Sequence, residues 1–441
     1  MFEFRQLQII CIAACFGMVS SSCAMKDLKK DLDEVRHDYG YLKGQATSSD
    51  ASSNILVALV KNDGAERLIT NIRTVRPGEP FYVLVSHQEY TVLAFSDING
   101  DLVYQPGEPA AMLTDPVINW FTHVENRQRV DPLSLKVQDI ELTTTTELTM
   151  PLDMSLAAIR RDSKVAQNFL RTVTWDDEAF SDATVELGMW QPGAYQEQVG
   201  LGLYVLEPFD SEKDIALLVH GINDSPRVFQ TLVSVVPDDH QVLLFHYPSG
   251  FPLEYTSYAL KELLGELIAR FDVQRIDVIA HSMGGLVSKG MIKQSDDLLR
   301  GKLDAFISIS SPFGGHSAAA SGVKWSPVIA PVWWAMAPDS FYLQQIAALD
   351  LSKGPQHHLL YSYSHERGGR RENDDGVVTV ESQLIQSSAE RAIAIYGIAD
   401  NHVGIVSNSC TLALVPAIFR DVSTRATVSQ CQVPAPLNKI D

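Results

Sequence analysis

Ser282 stands in the string Ala280-His281-Ser282-Met283-Gly284-Gly285, between an extended apolar run, Arg275-Ile-Asp-Val-Ile-Ala280, and a helical pattern. A serine hydroxyl is a weak nucleophile until a neighbouring base takes its proton. A sharp strand-to-helix turn exposes such a hydroxyl. The turn needs small residues two before and two after the serine, because strand and helix approach closely there. Ala280 and Gly284 meet that demand. The base would be a histidine, with a carboxylate to fix its tautomer and steady its charge. His402, in Ala399-Asp400-Asn401-His402, follows the last strand-like run, and Asn373-Asp374-Asp375-Gly376-Val377-Val378 follows the one before it.

Several of these strings resemble one family. The A-x-S-x-G form of the serine turn resembles bacterial lipases of the α/β-hydrolase superfamily, as does Leu217-Leu-Val-His220-Gly221-Ile222 with its V-H-G-I segment. On that resemblance the backbone N–H groups of Ile222 and Met283 face a developing oxyanion, and His220 is structural. The D-G-x-V and N-H strings resemble the acid and histidine loops of bacterial true lipases. The order nucleophile, acid, histidine in that fold gives Asp375 the acid role and His402 the base role. Asp374 is the alternative acid, and Asp400 lies too close to His402 on one loop to orient its ring. Ser310-Ser311-Pro312-Phe313-Gly314-Gly315 resembles the T-P-H-G-G loop of lipases, a marker of the fold. The resemblance covers roughly residues 180 to 420. It implies a lipase-like hydrolase of carboxylic esters, working through an acyl-enzyme with no cofactor on an ester or lipid substrate. Two other readings stay open: an acyltransferase with the same triad, and a non-catalytic envelope binding protein whose β-rich part does the work.

The elements that must hold these residues are legible as alternating strands and helices. Ile215–Val219, Gln241–Phe245, Ile276–Ala280, Ala305–Ile309, Leu359–Ser362 and Ala392–Tyr396 read as strands, with Ser257–Phe271 and Gly285–Gln294 as helices. That alternation predicts an α/β domain, 180–441, with a mostly parallel sheet covered by helices. Lys324–Ile346, rich in Trp and Met and broken by Pro327, Pro331 and Pro338, predicts a cap or lid insert at about 320–346 in place of one long helix. Upstream, Ile55–Val60, Phe81–Val85 and Tyr90–Phe95 are short β-branched and aromatic runs between turn residues, and predict a small β-sandwich over 54–152. Val137–Leu152 is its last strand or a connector, and 153–179 connects to the α/β part. Asp97, Asn99, Asp101 and Glu108 are spaced like a calcium loop, but Leu102 stands where the loop needs Gly, so a polar turn is the preferred reading. His357, His358 and His365 lack the spacing of metal ligands.

The 441 residues carry a net charge of −19, which argues against nucleic acid or a strongly anionic surface as the main partner. Ile9–Val19 is long enough for an export signal and too short to span a bilayer. Val19-Ser20-Ser21-Ser22-Cys23 resembles the lipobox of bacterial lipoproteins. It implies a cleaved leader, 1–22, lipidation of Cys23 and anchoring at the cell envelope. The charged stretch from Met25 and the small polar residues Ala46–Ser53 read as a helical spacer and linker, 23–53. Of five cysteines, Cys410 and Cys431 then remain as a candidate disulfide.

Overall fold

The computed structural model describes residues 39–148 apart from 51–52, 64–65, 79, 87, 100–102 and 121–135, and residues 170–420 apart from 326–329, 350, 352–353 and 364–373. The leader, Cys23, Asp101, His365 and Cys431 lie outside the described residues.

Eight strands precede the α/β part: β1 (Tyr39–Ser48), β2 (Asn54–Asp63), β3 (Glu66–Val75), β4 (Pro80–Ser86), β5 (Tyr90–Asp97), β6 (Ala110–Leu113), β7 (Asn119–Trp120) and β8 (Val137–Leu142). They form two sheets, β4-β1-β7 with β8 on β1, and β3-β2-β5-β6. Leu42, Ala46, Phe81 and Val83 of one sheet pack against Ile55, Val57, Leu59, Val92 and Ala94 of the other, as a sandwich requires. One expectation fails here. The helical spacer and linker over 23–53 takes in β1, whose backbone pairs with β4, β7 and β8. Its inward positions, Leu42 and Ala46, alternate with polar neighbours, and period 2 decides against a helix. Val137–Leu142 is a strand, so the stretch from Val137 is partly the sandwich's last strand. Glu108 closes the Asp97–Glu108 loop by accepting from Ile98 N at 3.0 Å and Gln105 N at 2.9 Å. Both carboxylate oxygens thus serve the turn, and no metal-binding cluster occurs among the described residues.

The second part is an eight-stranded sheet. Its strands are β9 (Leu170–Thr172), β10 (Gly202–Val205), β11 (Asp214–Val219), β12 (His240–His246), β13 (Ile276–His281), β14 (Leu303–Ile309), β15 (Gln356–Tyr363) and β16 (Ala394–Ala399). The order is β16-β15-β14-β13-β11-β12-β10-β9, and only β10 and β12 pair antiparallel. The sheet thus begins at Leu170, inside the stretch 153–179 read as connector.

The central strands read as continuous apolar runs because both faces of the sheet are covered. In β11, Ile215, Leu217 and Val219 enter one core, and Ala216 and Leu218 enter the other. Helices α1 (Leu253–Phe271) and α2 (Met283–Gln294) cover the first face. Leu253, Leu260, Leu264 and Leu267 of α1, spaced by seven, four and three residues along one helical face, are fully buried. The Trp-rich stretch forms three short helices, α3 (Ser317–Trp325), α4 (Pro331–Met336) and α5 (Phe341–Ala347). Pro331 opens α4, where its missing N–H costs nothing, and Pro338 follows its end, so the described part of the stretch is not one long helix. The other face is covered in part by α6 (Ser409–Phe419). Cys410 lies near its start, half-buried against that core. No helix among the described residues is long and apolar enough to cross a membrane.

A buried polar cluster fastens the end of the sheet away from Ser282. Asp277, fully buried, accepts from Ala305 N at 2.9 Å and lies 2.9 Å from Arg275 Nε and 3.0 Å from His240 Nε2. Asp239 holds the other ring nitrogen of His240 at 2.7 Å. The His240 ring stacks on Phe419 at 4.9 Å, and Arg275 donates to the Phe419 carbonyl at 2.9 Å. Burial pulls the His240 pKa down, but the carboxylates of Asp277 and Asp239 outweigh it and raise the pKa above 6.5. A pKa raised by folding contributes stability that is full below the unfolded value and lost as pH rises through the folded one. His240→Gln is therefore expected to lower Tm more at about pH 6 than at about pH 9. An equal loss at both pH values would contradict this.

Candidate active site

Ser282 ends β13 and opens α2 with φ 54° and ψ −127°, a left-handed conformation that few L residues adopt. The turn is affordable because its surroundings have no side chains to spare. A Cβ on Gly284 would meet the Val219 carbonyl oxygen at 2.1 Å, and one on Gly285 would meet Ser311 Oγ at 2.0 Å. A Cβ on Gly221 would come within 2.9 Å of Ser282 Cβ. Ala280 is fully buried, paired with Val219 of β11 and Ser308 of β14. The small residues of the string thus answer to backbone approach, and the Ser310–Gly315 loop packs directly on α2.

The strand ends deliver three side chains to one line. His402 Nε2 lies 2.8 Å from Ser282 Oγ, and His402 Nδ1 lies 2.7 Å from Asp375 Oδ2. A carboxylate can only accept, so Nδ1 carries the ring proton and Nε2 is left to accept from the serine. Asp375 comes from the loop after β15, His402 from the loop after β16, and Ser282 from the turn after β13. Backbone bonds tie the two loops together: His402 N donates to Asp375 O at 3.0 Å.

Asp375 is buried and richly solvated by the protein itself. Its Oδ1 accepts from Val377 N at 3.0 Å and Val378 N at 2.7 Å. Its Oδ2 accepts from Ser362 Oγ at 2.5 Å and Gln383 Nε2 at 3.3 Å as well as from His402. Burial raises its pKa, yet the His402 contact, Ser362 and Val378 outweigh that and hold it below the ordinary aspartate value. The neighbouring candidates do other work. Asp374 accepts from Gly376 N at 2.9 Å, capping the turn, and Asp400 accepts from Asn401 N and Asn408 Nδ2 within its own loop.

The Gly221 loop passes close to Ser282, where a Cβ on the glycine would lie 3.4 Å from Oγ, and it continues with the Ile222 N–H. The Met283 N–H follows the serine and opens α2. Neither N–H has a hydrogen-bond partner among the described residues. His220 is wholly buried and stacked on Tyr247 at 4.4 Å. Its Nδ1 lies 2.9 Å from the Gly221 carbonyl, whose peptide carries the Ile222 N–H, and its Nε2 lies 3.1 Å from His246 Nδ1. Burial, then the nearby His246, push the His220 pKa well below its usual value, so the ring supports this loop without charge.

His281 has a comparable place. Its Nε2 lies 2.8 Å from the His402 carbonyl, which can only accept, so Nε2 carries the proton. Burial, then the approach of His402, lower its pKa to about 3 and keep the ring neutral. Sequence reasoning placed His281 in the string without seeing this bond. It missed Ser362, Gln383 and His246 altogether. No short-range pattern marks a hydroxyl or an amide that gains its role from strands far apart in sequence.

This sheet order, with a left-handed serine after a central parallel strand and Asp375 and His402 on the loops after β15 and β16, defines an α/β-hydrolase fold. Parts of the chain are similar to known proteins. Residues 252–336 match the PGAP1-like alpha/beta domain family. The lysosomal thioesterase PPT2-B of Xenopus laevis is 26% identical over 107 residues, 23% of this chain. The match takes in 36% of that relative's length. Among solved structures, the mature lipase BlEst2 of Bacillus licheniformis superposes with a TM-score of 0.38 at 13% identity, covering 48% of this chain and 95% of its own. Phospholipase PlaB of Legionella pneumophila gives 0.37 at 17% identity, over 50% of this chain and 62% of its own.

Proposed function

We propose that this chain is a serine hydrolase of carboxylic esters, lipase- or esterase-like, with Ser282, His402 and Asp375 as its catalytic triad. The observation that carries the reading is the unbroken line from Ser282 Oγ through both nitrogens of His402 to Asp375 Oδ2, at 2.8 and 2.7 Å.

Ser282 Oγ attacks the ester carbonyl carbon as His402 Nε2 takes its proton. Negative charge then develops on the carbonyl oxygen, which accepts from the N–H groups of Ile222 and Met283. Both donors are fixed by the fold, and losing one such donor typically costs about 10²–10³ in rate. The imidazolium formed at His402 is stabilised by Asp375, whose lowered pKa keeps it ionised. The bond to the leaving alcohol breaks as His402 returns the proton to it. Water, deprotonated by the same ring, then cleaves the acyl-enzyme and releases the acid. In this reading the three helices α3–α5 form a cap, with Trp325 exposed at the end of α3. The envelope location, lipid anchor at Cys23 and disulfide between Cys410 and Cys431 belong to the same proposal and rest on the sequence.

Ser282→Ala is expected to abolish p-nitrophenyl ester turnover while leaving Tm within a few degrees of the parent. Turnover surviving that change would overturn the reading, and glycerol esters appearing among the products would turn it towards acyl transfer. For the anchor, radiolabelled palmitate should be lost in Cys23→Ala; label kept in that variant would refute Cys23 as the site.

A further inference from the structure

Behind Asp375 lies a second chain of hydroxyls that the proposed chemistry does not call upon. Ser362 in β15 and Ser310 just after β14 are both fully buried, with their oxygens 2.5 Å apart. Ser362 Oγ is in turn 2.5 Å from Asp375 Oδ2. The direction of every bond follows from the acceptor at the end. An ionised carboxylate cannot donate, so the single proton of Ser362 points to Asp375. Only lone pairs are left on Ser362 Oγ for its other neighbour, so Ser310 donates to Ser362. Aligned donors polarise one another, and a hydroxyl donating to a carboxylate is among the stronger hydrogen bonds.

Two further features show that this line is held in place. Ser310 has φ 51°, close to the 54° of Ser282, and its N–H donates to the Leu360 carbonyl at 2.8 Å. A left-handed conformation is unfavourable for a residue with a side chain and persists where its surroundings over-determine it. Gln383 grips the other serine at both backbone groups: its Oε1 accepts from Ser362 N at 2.9 Å and its Nε2 donates to Ser362 O at 3.1 Å. The same Nε2 reaches Val378 O at 3.2 Å and Asp375 Oδ2 at 3.3 Å.

We propose that Ser362, polarised by Ser310 and gripped by Gln383, is a positioning residue that fixes Asp375 Oδ2 against His402 and draws off part of its negative charge. The inference rests on the triad reading above. Ser362 O–H and His402 Nδ1–H share one carboxylate oxygen. Removing the hydroxyl leaves more charge on that oxygen, which favours the protonated, inactive ring. The active form then requires a higher pH.

The test is the second-order rate of fluorophosphonate labelling of the full chain, followed against pH, which needs no knowledge of the natural substrate. Ser362→Ala is expected to label about tenfold more slowly at its optimum, the loss of one hydrogen bond to a charged group. Its acidic limb should move to higher pH. Ser310→Ala should move the limb the same way by less. The double variant should match Ser362→Ala alone, because Ser310 acts through Ser362. Ser362→Thr keeps the hydroxyl and should bring the limb back towards the parent's. An unmoved limb in Ser362→Ala, or additive effects in the double variant, would overturn the proposal. Should Ser362→Ala not fold, the limb of Ser310→Ala decides alone, and no displacement refutes the relay. Labelling that persists in Ser282→Ala would instead bring down the triad reading, so the two failures are distinct.

Discussion

Ser282 occupies a backbone conformation that costs a residue with a side chain about 1–2 kcal/mol, and the neighbouring structure is arranged around that turn. The chain leaves β13 and enters α2 without a connecting loop. The helix start therefore presses against the carbonyls of Val219 and His220, where only glycine fits at position 284. The same closeness brings Gly221 near the serine, where a Cβ would meet Ser282 Cβ at 2.9 Å. Parallel strands then carry the remaining partners to the same end of the sheet. Asp375 and His402 follow β15 and β16, which lie on one side of β13, and the His220–Ile222 loop follows β11 on the other.

Around this turn the protein spends most of its buried polarity on holding rings neutral and one carboxylate charged. Burial depresses the pKa values of His220, His246 and His281, with His246 brought to about 4 and His281 to about 3. Each of these rings contacts a main-chain carbonyl: that of Gly221, of Ala179 and of His402. Each ring thus lies within hydrogen-bond reach of the main chain. Asp375 meets the opposite treatment. Five donors surround its two oxygens, and they outweigh a burial that would otherwise favour its protonation. His402, by contrast, stands between a hydroxyl and a carboxylate.

Much of this was legible in the sequence where local pattern and chain order carry the information. The apolar runs of β11 to β15 announce a sheet covered on both faces, and Ser282, Asp375 and His402 stand on the turns that follow their strands. The strand ends shift by a few residues, as in β16, which runs Ala394–Ala399 where Ala392–Tyr396 was expected. What stayed hidden has physical reasons. Strand β1 was masked by Gly40, Gly44 and small polar residues, whose propensity says little and whose place is fixed by pairing with β4 and β8. Strand β9 is only three residues long and gains its identity from β10. Ser310 was visible as part of a loop motif, but its bond to Ser362 joins positions 52 residues apart. Nothing in a one-dimensional pattern encodes that distance.

The central claim is that Ser282 forms a covalent acyl-enzyme, with His402 as the base at its hydroxyl. Rapid quenching of the enzyme with a slowly released p-nitrophenyl ester, followed by mass analysis of the peptide containing Ser282, tests it most directly. The account predicts the added mass of one acyl group on Ser282, and none on that peptide in His402→Ala. An adduct on another residue, or an unmodified Ser282 during turnover, would contradict it.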